Sequence, residues 1–275
     1  MKKNLFIAAI LCGSYISANA ASMVTEWTGN AGPTEGNTYE LGNADNWSNG
    51  VPARGNGQGP DVIFNNTGTI TLSGSMVDTS DGGSITVTGN SNVTVGGTRW
   101  TGNVTIGAGS ALSLSQVDFK SSDIILDGTF NLGVCGIDGG GNGARLVFGI
   151  NGIMNVNQQI WGASSFSVSG MLATISTDLA AGESQFVTRT LITSSGFNGG
   201  SISLGDFTAE DGGALTKASG IMEGNAADYQ GQYYLYTEDG NVKVQYVVTG
   251  AVPEPATATL SLLGLASLML RRKRA

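Results

Sequence analysis

Residues 84–114, SITVTGNSNVTVGGTRWTGNVTIGAGSALSL, decide the fold because they repeat one short unit. Apolar and polar residues alternate with a period of two in residues 84–88, 92–95, 103–106 and 111–114. This alternation is typical of a β-strand with one buried and one solvated face. Gly and Asn, which favour turns, separate the segments. The stretch therefore predicts strands with Val, Ile and Leu facing a core and Ser and Thr facing water.

The same unit continues on both sides of this stretch. It occupies residues 68–72 upstream and returns downstream in residues 123–126, 129–132, 145–148, 153–156 and 166–168. Repeated short strands without a helical period suit either a β-solenoid or a β-sandwich. Glycine-rich corners and a face of Ser and Thr favour the solenoid, in which inward Val, Ile and Leu form continuous ladders. We expect an all-β, single-domain, right-handed β-solenoid (β-helix) with capping strands, with a β-sandwich as the alternative.

The start of this body differs from the repeat. Trp27-Thr28-Gly29, Asn46-Trp47 and Asp61-Val62-Ile63-Phe64 resemble the N-terminal cap of bacterial surface solenoids, including autotransporter-like passenger proteins. A solenoid end must cover its open core, so we expect Trp27 and Trp47 to be buried there. The alternative is a sugar-stacking tryptophan pair on the surface.

The end of the body predicts a closing hairpin with a candidate binding surface. Residues 232–237 and 242–247 flank the turn segment 238–241, which contains Asp-Gly. On the first strand Tyr234 and Tyr236 share one face, and such aromatic faces bind other apolar surfaces. The candidate glycan contacts are Tyr234 and Tyr236, with the tryptophans Trp100 and Trp161 and the rest of the segment 233–236 as further candidates.

The first twenty residues predict a secretory signal peptide. Lys2 and Lys3 form a positive region, residues 5–12 are apolar, and Ala18-Asn19-Ala20 fits the small-x-small rule. We expect signal peptidase to cleave between Ala20 and Ala21. The body would then be exported.

The last residues form three elements in order. Val252-Pro253-Glu254-Pro255 is followed by the uncharged apolar run 256–270 and by four cations. A helix of that length covers about 22 Å, which is less than the ~30 Å core of a bilayer. Basic residues resist translocation, so they would hold the chain at the inner membrane with the prolines outside. The basic residues are Arg271, Arg272, Lys273 and Arg274.

This tail resembles the PEP-CTERM sorting domain, which is processed by the membrane protease and transpeptidase exosortase. The resemblance covers residues 252–275 and implies that Pro253, Glu254 and Pro255 are recognised by the sorting enzyme. It further implies that the helix 256–270 anchors the chain in the inner membrane transiently and is then removed. The expected location is the cell envelope, the cell surface or the extracellular space.

Composition limits the chemistry. The chain contains no histidine, which excludes Ser-His-Asp and Cys-His nucleophile systems and the common zinc sites. The exported body would keep 7 of the 13 basic and 20 of the 21 acidic residues, a net charge of about −13, so nucleic acid is not an expected partner. Cys135 would be its one cysteine and is interpreted as a buried or incidental thiol. We expect no metal and no cofactor, and the glycine-rich segment 138–143 is interpreted as a loop.

Carboxylates are the remaining candidates for catalysis. Asp118, Asp123 and Asp127 recur closely enough to share a face, as in polysaccharide-degrading solenoid enzymes, but solvated turn residues produce the same spacing. We therefore expect no enzyme activity. The predicted organisation is a signal peptide (1–20), an N-terminal cap (21–66), a solenoid body with a closing hairpin (67–250) and a sorting signal (252–275).

The function expected from these parts is that of a non-enzymatic protein of the cell surface or extracellular matrix, with extracellular polysaccharide as a candidate partner. The alternatives are a glycan-binding adhesin module and a polysaccharide-degrading β-helix enzyme.

Overall fold

The computed structural model describes residues 23–53, 59–74, 83–119, 122–137, 144–162, 166–198 and 202–251. Strands dominate this part of the chain, and its two short helices, Ala44–Asn46 and Ala226–Tyr229, are both 3₁₀. The protein is therefore all-β, as the sequence predicts. The strands are β1 Val24–Glu26, β2 Thr38–Glu40, β3 Asp61–Asn65, β4 Thr69–Ser73, β5 Ser84–Thr88, β6 Asn92–Trp100, β7 Asn103–Ile106, β8 Ala111–Phe119, β9 Asp123–Leu126, β10 Thr129–Ile137, β11 Arg145–Phe148, β12 Ile153–Val156, β13 Ile160–Gly162, β14 Phe166–Leu172, β15 Ile175–Ser176, β16 Ser184–Thr193, β17 Phe197–Asn198, β18 Ile202–Ala209, β19 Thr216–Lys217, β20 Gln232–Glu238 and β21 Asn241–Gly250.

These strands form two sheets. The eight-stranded sheet has the order β1-β3-β5-β7-β9-β11-β14-β18. The thirteen-stranded sheet runs β19-β20-β21-β16-β12-β10-β8-β6-β4-β2, with β13, β15 and β17 beside it. From β1 to β12 the chain alternates between the sheets, so each strand pairs in parallel with the strand two positions along the sequence.

Parallel pairing in register aligns the inward side chains of successive strands. These residues are at most 3 % exposed and belong to one continuous core. Burying an aliphatic side chain of this size contributes about 1.5–3 kcal/mol. The aligned residues are Val62, Ile85, Val104, Ile124, Leu146 and Val168 in the eight-stranded sheet, and Ile70, Val93, Leu112, Phe130 and Met154 in the thirteen-stranded sheet.

The outward side chains of the thirteen-stranded sheet form a hydrogen-bonded polar ladder. Asn131 Nδ2 donates to Ser113 Oγ (3.2 Å), and Asn155 Nδ2 donates to Asn131 Oδ1 (2.9 Å). The Thr193 hydroxyl in turn donates to Asn155 Oδ1 (2.9 Å). These contacts connect residues 18, 24 and 38 positions apart, so the polar face also holds the strands in register.

In this sheet, β6, β8 and β10 each continue five residues beyond the segment that the sequence predicts. In β8 the buried positions change from Leu112 and Leu114 to Val117 and Phe119, a shift of one residue in the alternation. The same shift occurs in β10. The second halves of these strands pair with each other and with β13, which adds a further row of buried residues to the core: Trp100, Val117, Cys135 and Ile160.

Aromatic side chains fill the N-terminal end of the core. Trp27 and Trp47 are buried, and their rings meet edge to face with centroids 5.0 Å apart. Burial excludes the alternative of a sugar-stacking pair on the surface. The edge of β1 is also covered, because Ser48 N–H donates to the Glu26 carbonyl (2.9 Å) and Asn49 Nδ2 donates to the Val24 carbonyl (2.8 Å).

The predicted hairpin is present at the other end. Strands β20 and β21 pair antiparallel around Asp239 and Gly240, whose φ angles of +50° and +78° match a type I′ turn. Strand β16 joins this hairpin to the parallel strands, since it is antiparallel to β21 and parallel to β12. Within β16, the Arg189 guanidinium donates to the carbonyls of Gly149 (2.8 Å) and Gly152 and so connects the hairpin to the turn after β11.

Candidate functional site

The three candidate acidic residues are not brought together. Asp123 is bound by the exposed Arg145 guanidinium through two contacts of 2.7 and 2.6 Å. Asp127 lies beyond the other end of β9, where its Oδ1 accepts from Asn151 N–H (3.0 Å). Asp118 belongs to β8 in the other sheet, and both Asp118 and Asp127 are buried. No group of three or more His, Cys, Asp or Glu residues is arranged to hold a metal ion in the described ranges.

Cys135 is buried in β10. Removal from water raises the pKa of its thiol to about 12, and the nearby Asp118 charge adds to this effect. The thiol is therefore protonated at neutral pH, and a protonated buried thiol is a poor nucleophile. This agrees with the interpretation of Cys135 as a buried residue.

The tryptophans differ in exposure. Trp100 is fully buried, with its Nε1 donating to the Asn103 carbonyl (3.2 Å), so the prediction that it contacts a glycan is wrong. Its strand continues beyond the predicted segment, which turns the ring into the core. Trp161, in contrast, is 49 % exposed on β13.

Tyr234 and Tyr236 lie side by side on the outer side of β20. Their rings are nearly parallel, with 15° between the planes and 5.8 Å between the centroids. Tyr233 and Leu235 alternate with them and are buried, which is the division of faces that the sequence predicts.

The neighbouring strands add polar side chains to this surface. Lys243 of β21 lies opposite Tyr236 of β20 on one side and opposite Thr190 of β16 on the other. Lys243 Nζ donates to Glu238 (2.5 Å), and this hydrogen bond raises the pKa of Lys243. We call Tyr234, Tyr236, Lys243 and Thr190 the tyrosine face.

The segment between β19 and β20 lies next to the tyrosine face. The Gln245 amide accepts from Met222 N–H (2.8 Å) and donates to the Met222 carbonyl (3.0 Å). Tyr229 packs on Phe186 with ring centroids 5.8 Å apart. Since Gln245 lies opposite Tyr234, this segment borders the tyrosine pair.

A groove of about 320 Å³ crosses the outer side of the eight-stranded sheet. It runs across β7, β9, β11, β14 and β18, so its lining comes from residues far apart in sequence. The sequence alone does not predict it for that reason, although outward aliphatic residues in strands with a polar face are a local signal. We call it the outer groove; its main lining residues are Thr105, Ile125, Asp127, Val147, Met171 and Asp206.

The predicted processing sites lie outside the described residues. These are Ala20 and Ala21 at the signal-peptide junction, the Pro253-Glu254-Pro255 segment, the apolar run 256–270 and the basic residues 271–274. The segment 138–143, interpreted as a loop, also lies outside the described residues. Among the described residues, no helix has the length and apolar character needed to cross a bilayer. Comparison with protein-family models, with curated proteins and with solved structures finds no match to this chain.

Proposed function

We propose that the chain is an exported, non-enzymatic structural protein of the cell surface or extracellular matrix, and that its body is a right-handed β-solenoid. The observation that carries the proposal is the parallel pairing of every second strand, with aligned apolar residues inside and a Ser, Asn and Thr ladder outside. Such a body presents a long hydrated surface built on a continuous buried core.

The pairing supports the solenoid over the sandwich. A sandwich of hairpins places consecutive strands next to each other and antiparallel. From β1 to β12 consecutive strands lie in different sheets, and the pairs within a sheet are parallel. The antiparallel strands β16, β20 and β21 occur after this series. Their position supports the role of a cap at the end of the solenoid.

The acidic residues support a non-enzymatic role. Asp123 is held by Arg145 and Asp127 by Asn151, in separate places. Acid–base hydrolysis of a glycoside instead needs two carboxyl groups about 5–10 Å apart on either side of the bond that is cleaved.

Export and sorting rest on the terminal sequences. In the proposed sequence of events, signal peptidase cleaves after Ala20 and the apolar run 256–270 halts the chain in the inner membrane. An exosortase-type enzyme then acts near Pro253 to Pro255. Mass spectrometry of mature protein tests this directly, and we expect neither residues 1–20 nor the basic end. Mature protein that retains Arg271 to Ala275 would refute the sorting proposal.

Two variants separate recognition from anchoring. Deletion of residues 252–275 should move the protein from the envelope to the medium, because the chain then has no membrane stop. Replacement of Pro253, Glu254 and Pro255 by alanine keeps the apolar run and the basic end. This variant should accumulate uncleaved in the inner membrane, and normal processing of it would contradict recognition of the Pro-Glu-Pro segment.

A second candidate function is glycan binding, which the tyrosine face favours. Two half-buried, nearly parallel rings beside Lys243 and Thr190 combine apolar faces with hydrogen-bonding groups. A glycan array tests this function with the double variant Tyr234→Ala and Tyr236→Ala, and with Trp161→Ala, which removes the other exposed candidate aromatic residue. Binding that the tyrosine variant alone abolishes supports the assignment, and equal binding by all three proteins rejects it.

A further inference from the structure

The outer groove contains apolar side chains at outward strand positions, where the other strands of this sheet carry mostly polar ones. Ile125 is 37 % exposed, and Val147 lies beside it in register on the next strand. Met171 lines the groove further along. The equivalent outward position on β7 carries Thr105, which is typical of the rest of this face. Partly exposed aliphatic side chains that cluster in one groove are typical of binding sites, so these residues point to a ligand.

Two carboxylates also line this groove. Asp206 is exposed on β18 and makes no hydrogen bond to the described residues. Asp127 is only 8 % exposed, and its Oδ1 accepts hydrogen bonds from the N–H and Nδ2 of Asn151. Its charge also interacts with the Arg189 guanidinium, while its Oδ2 accepts no hydrogen bond from the described residues. Three strand spacings separate β9 from β18, which places the two aspartates about 14 Å apart along the groove. Val147 and Met171 lie on the two strands between them, and Ile125 lies on β9, two residues before Asp127.

The groove disfavours a peptide and a sugar. It lies on the face of a sheet whose strands β9, β11 and β14 are paired on both sides, so it offers few free backbone groups to an extended peptide. Its aromatic lining residue Phe148 is buried beneath the surface, which leaves no exposed ring for a sugar to stack on. A saturated chain needs neither type of contact.

From this arrangement we propose that the outer groove binds linear aliphatic polyamines. The methylene chain lies against Ile125, Val147 and Met171, and the two terminal ammonium groups pair with Asp127 and Asp206. The site goes beyond the surface role proposed above and does not depend on it, because the tail and the tyrosine face are not part of it. A body with a net charge of about −13 would also attract such cations over long range.

Isothermal titration of the purified protein with spermidine tests the proposal. We expect one saturable site that binds butylamine, which has one charge, at least about tenfold more weakly. Asp206→Asn should weaken spermidine binding by about twofold to fivefold, the range for one exposed ion pair. The exposed Asp178, outside the groove, provides the matched control, and Asp178→Asn should leave the affinity unchanged.

The apolar part of the site needs its own variant. Ile125→Ser should reduce the affinity for spermidine, because it removes an apolar contact to the methylene chain; an unchanged affinity would contradict the apolar part of the site. Equal losses in Asp206→Asn and Asp178→Asn, or competition by magnesium at the same ionic strength, would show general attraction to an acidic surface and overturn the proposal. If Ile125→Ser fails to fold, the comparison of the two aspartate variants still decides.

Discussion

Replacing Phe130 by alanine tests the assignment of the inward row. Phe130 is fully buried in β10, between Leu112 of β8 and Met154 of β12, and its ring centroid is 6.4 Å from that of Phe119. The substitution removes a whole ring from a packed row, and the paired strands on both sides restrict collapse around the cavity. We expect the free energy of unfolding to fall by about 3–5 kcal/mol.

The neighbouring residue provides the control. Thr129 precedes Phe130 in the same strand and faces outward, half-exposed. Thr129→Ala should change the free energy of unfolding by no more than about 0.5 kcal/mol. Urea unfolding followed by circular dichroism measures both free energies. If the slope of the unfolding free energy against urea concentration is unchanged, the variants differ in stability and not in the compactness of the unfolded state. A Phe130→Ala effect as small as that of Thr129→Ala would refute the inward assignment of this row.

Three further predictions concern single residues. Cys135 should resist thiol reagents until the protein unfolds. The pKa of this thiol is about 12 in the folded protein and 9.0 ordinarily, so its contribution to stability is complete below pH 9 and falls between pH 9 and about 12. The variant Cys135→Ala should not show this fall in stability. Trp47→Ala should destabilise the protein by about 3–5 kcal/mol, whereas Trp161→Ala should change the unfolding midpoint little; equal midpoints would contradict the aromatic packing at the N-terminal end. Arg189→Met should lower the free energy of unfolding by about 2–4 kcal/mol in urea, because the buried Gly152 and half-buried Gly149 carbonyls lose this donor, and a neutral result would show that the contact contributes nothing.

The sequence predicted strands best where the alternation is unbroken. Residues 84–88 and 103–106 match β5 and β7, and the hairpin around Asp239-Gly240 is also present. The second half of β8 was missed because the alternation shifts by one residue after Leu114. A search for a strict period of two therefore stops there, although the backbone continues to pair through Phe119.

The candidate sites show a similar division. The shared outward face of Tyr234 and Tyr236 follows from alternation within one strand, so it could be predicted. The outer groove could not, because Ile125, Met171 and Asp206 become neighbours only through the stacking of strands. Trp100 was misassigned because its strand β6 continues beyond the predicted segment and turns the ring inward.

The covered edge of β1 has a consequence for the behaviour of many copies. An uncovered first strand would present free N–H and C=O groups to the last strand of another molecule and allow head-to-tail polymerisation. Ser48 and Asn49 occupy these groups from within the chain. Strand addition at β1 is thus blocked, so copies packed in a crowded layer would not extend the eight-stranded sheet through this edge.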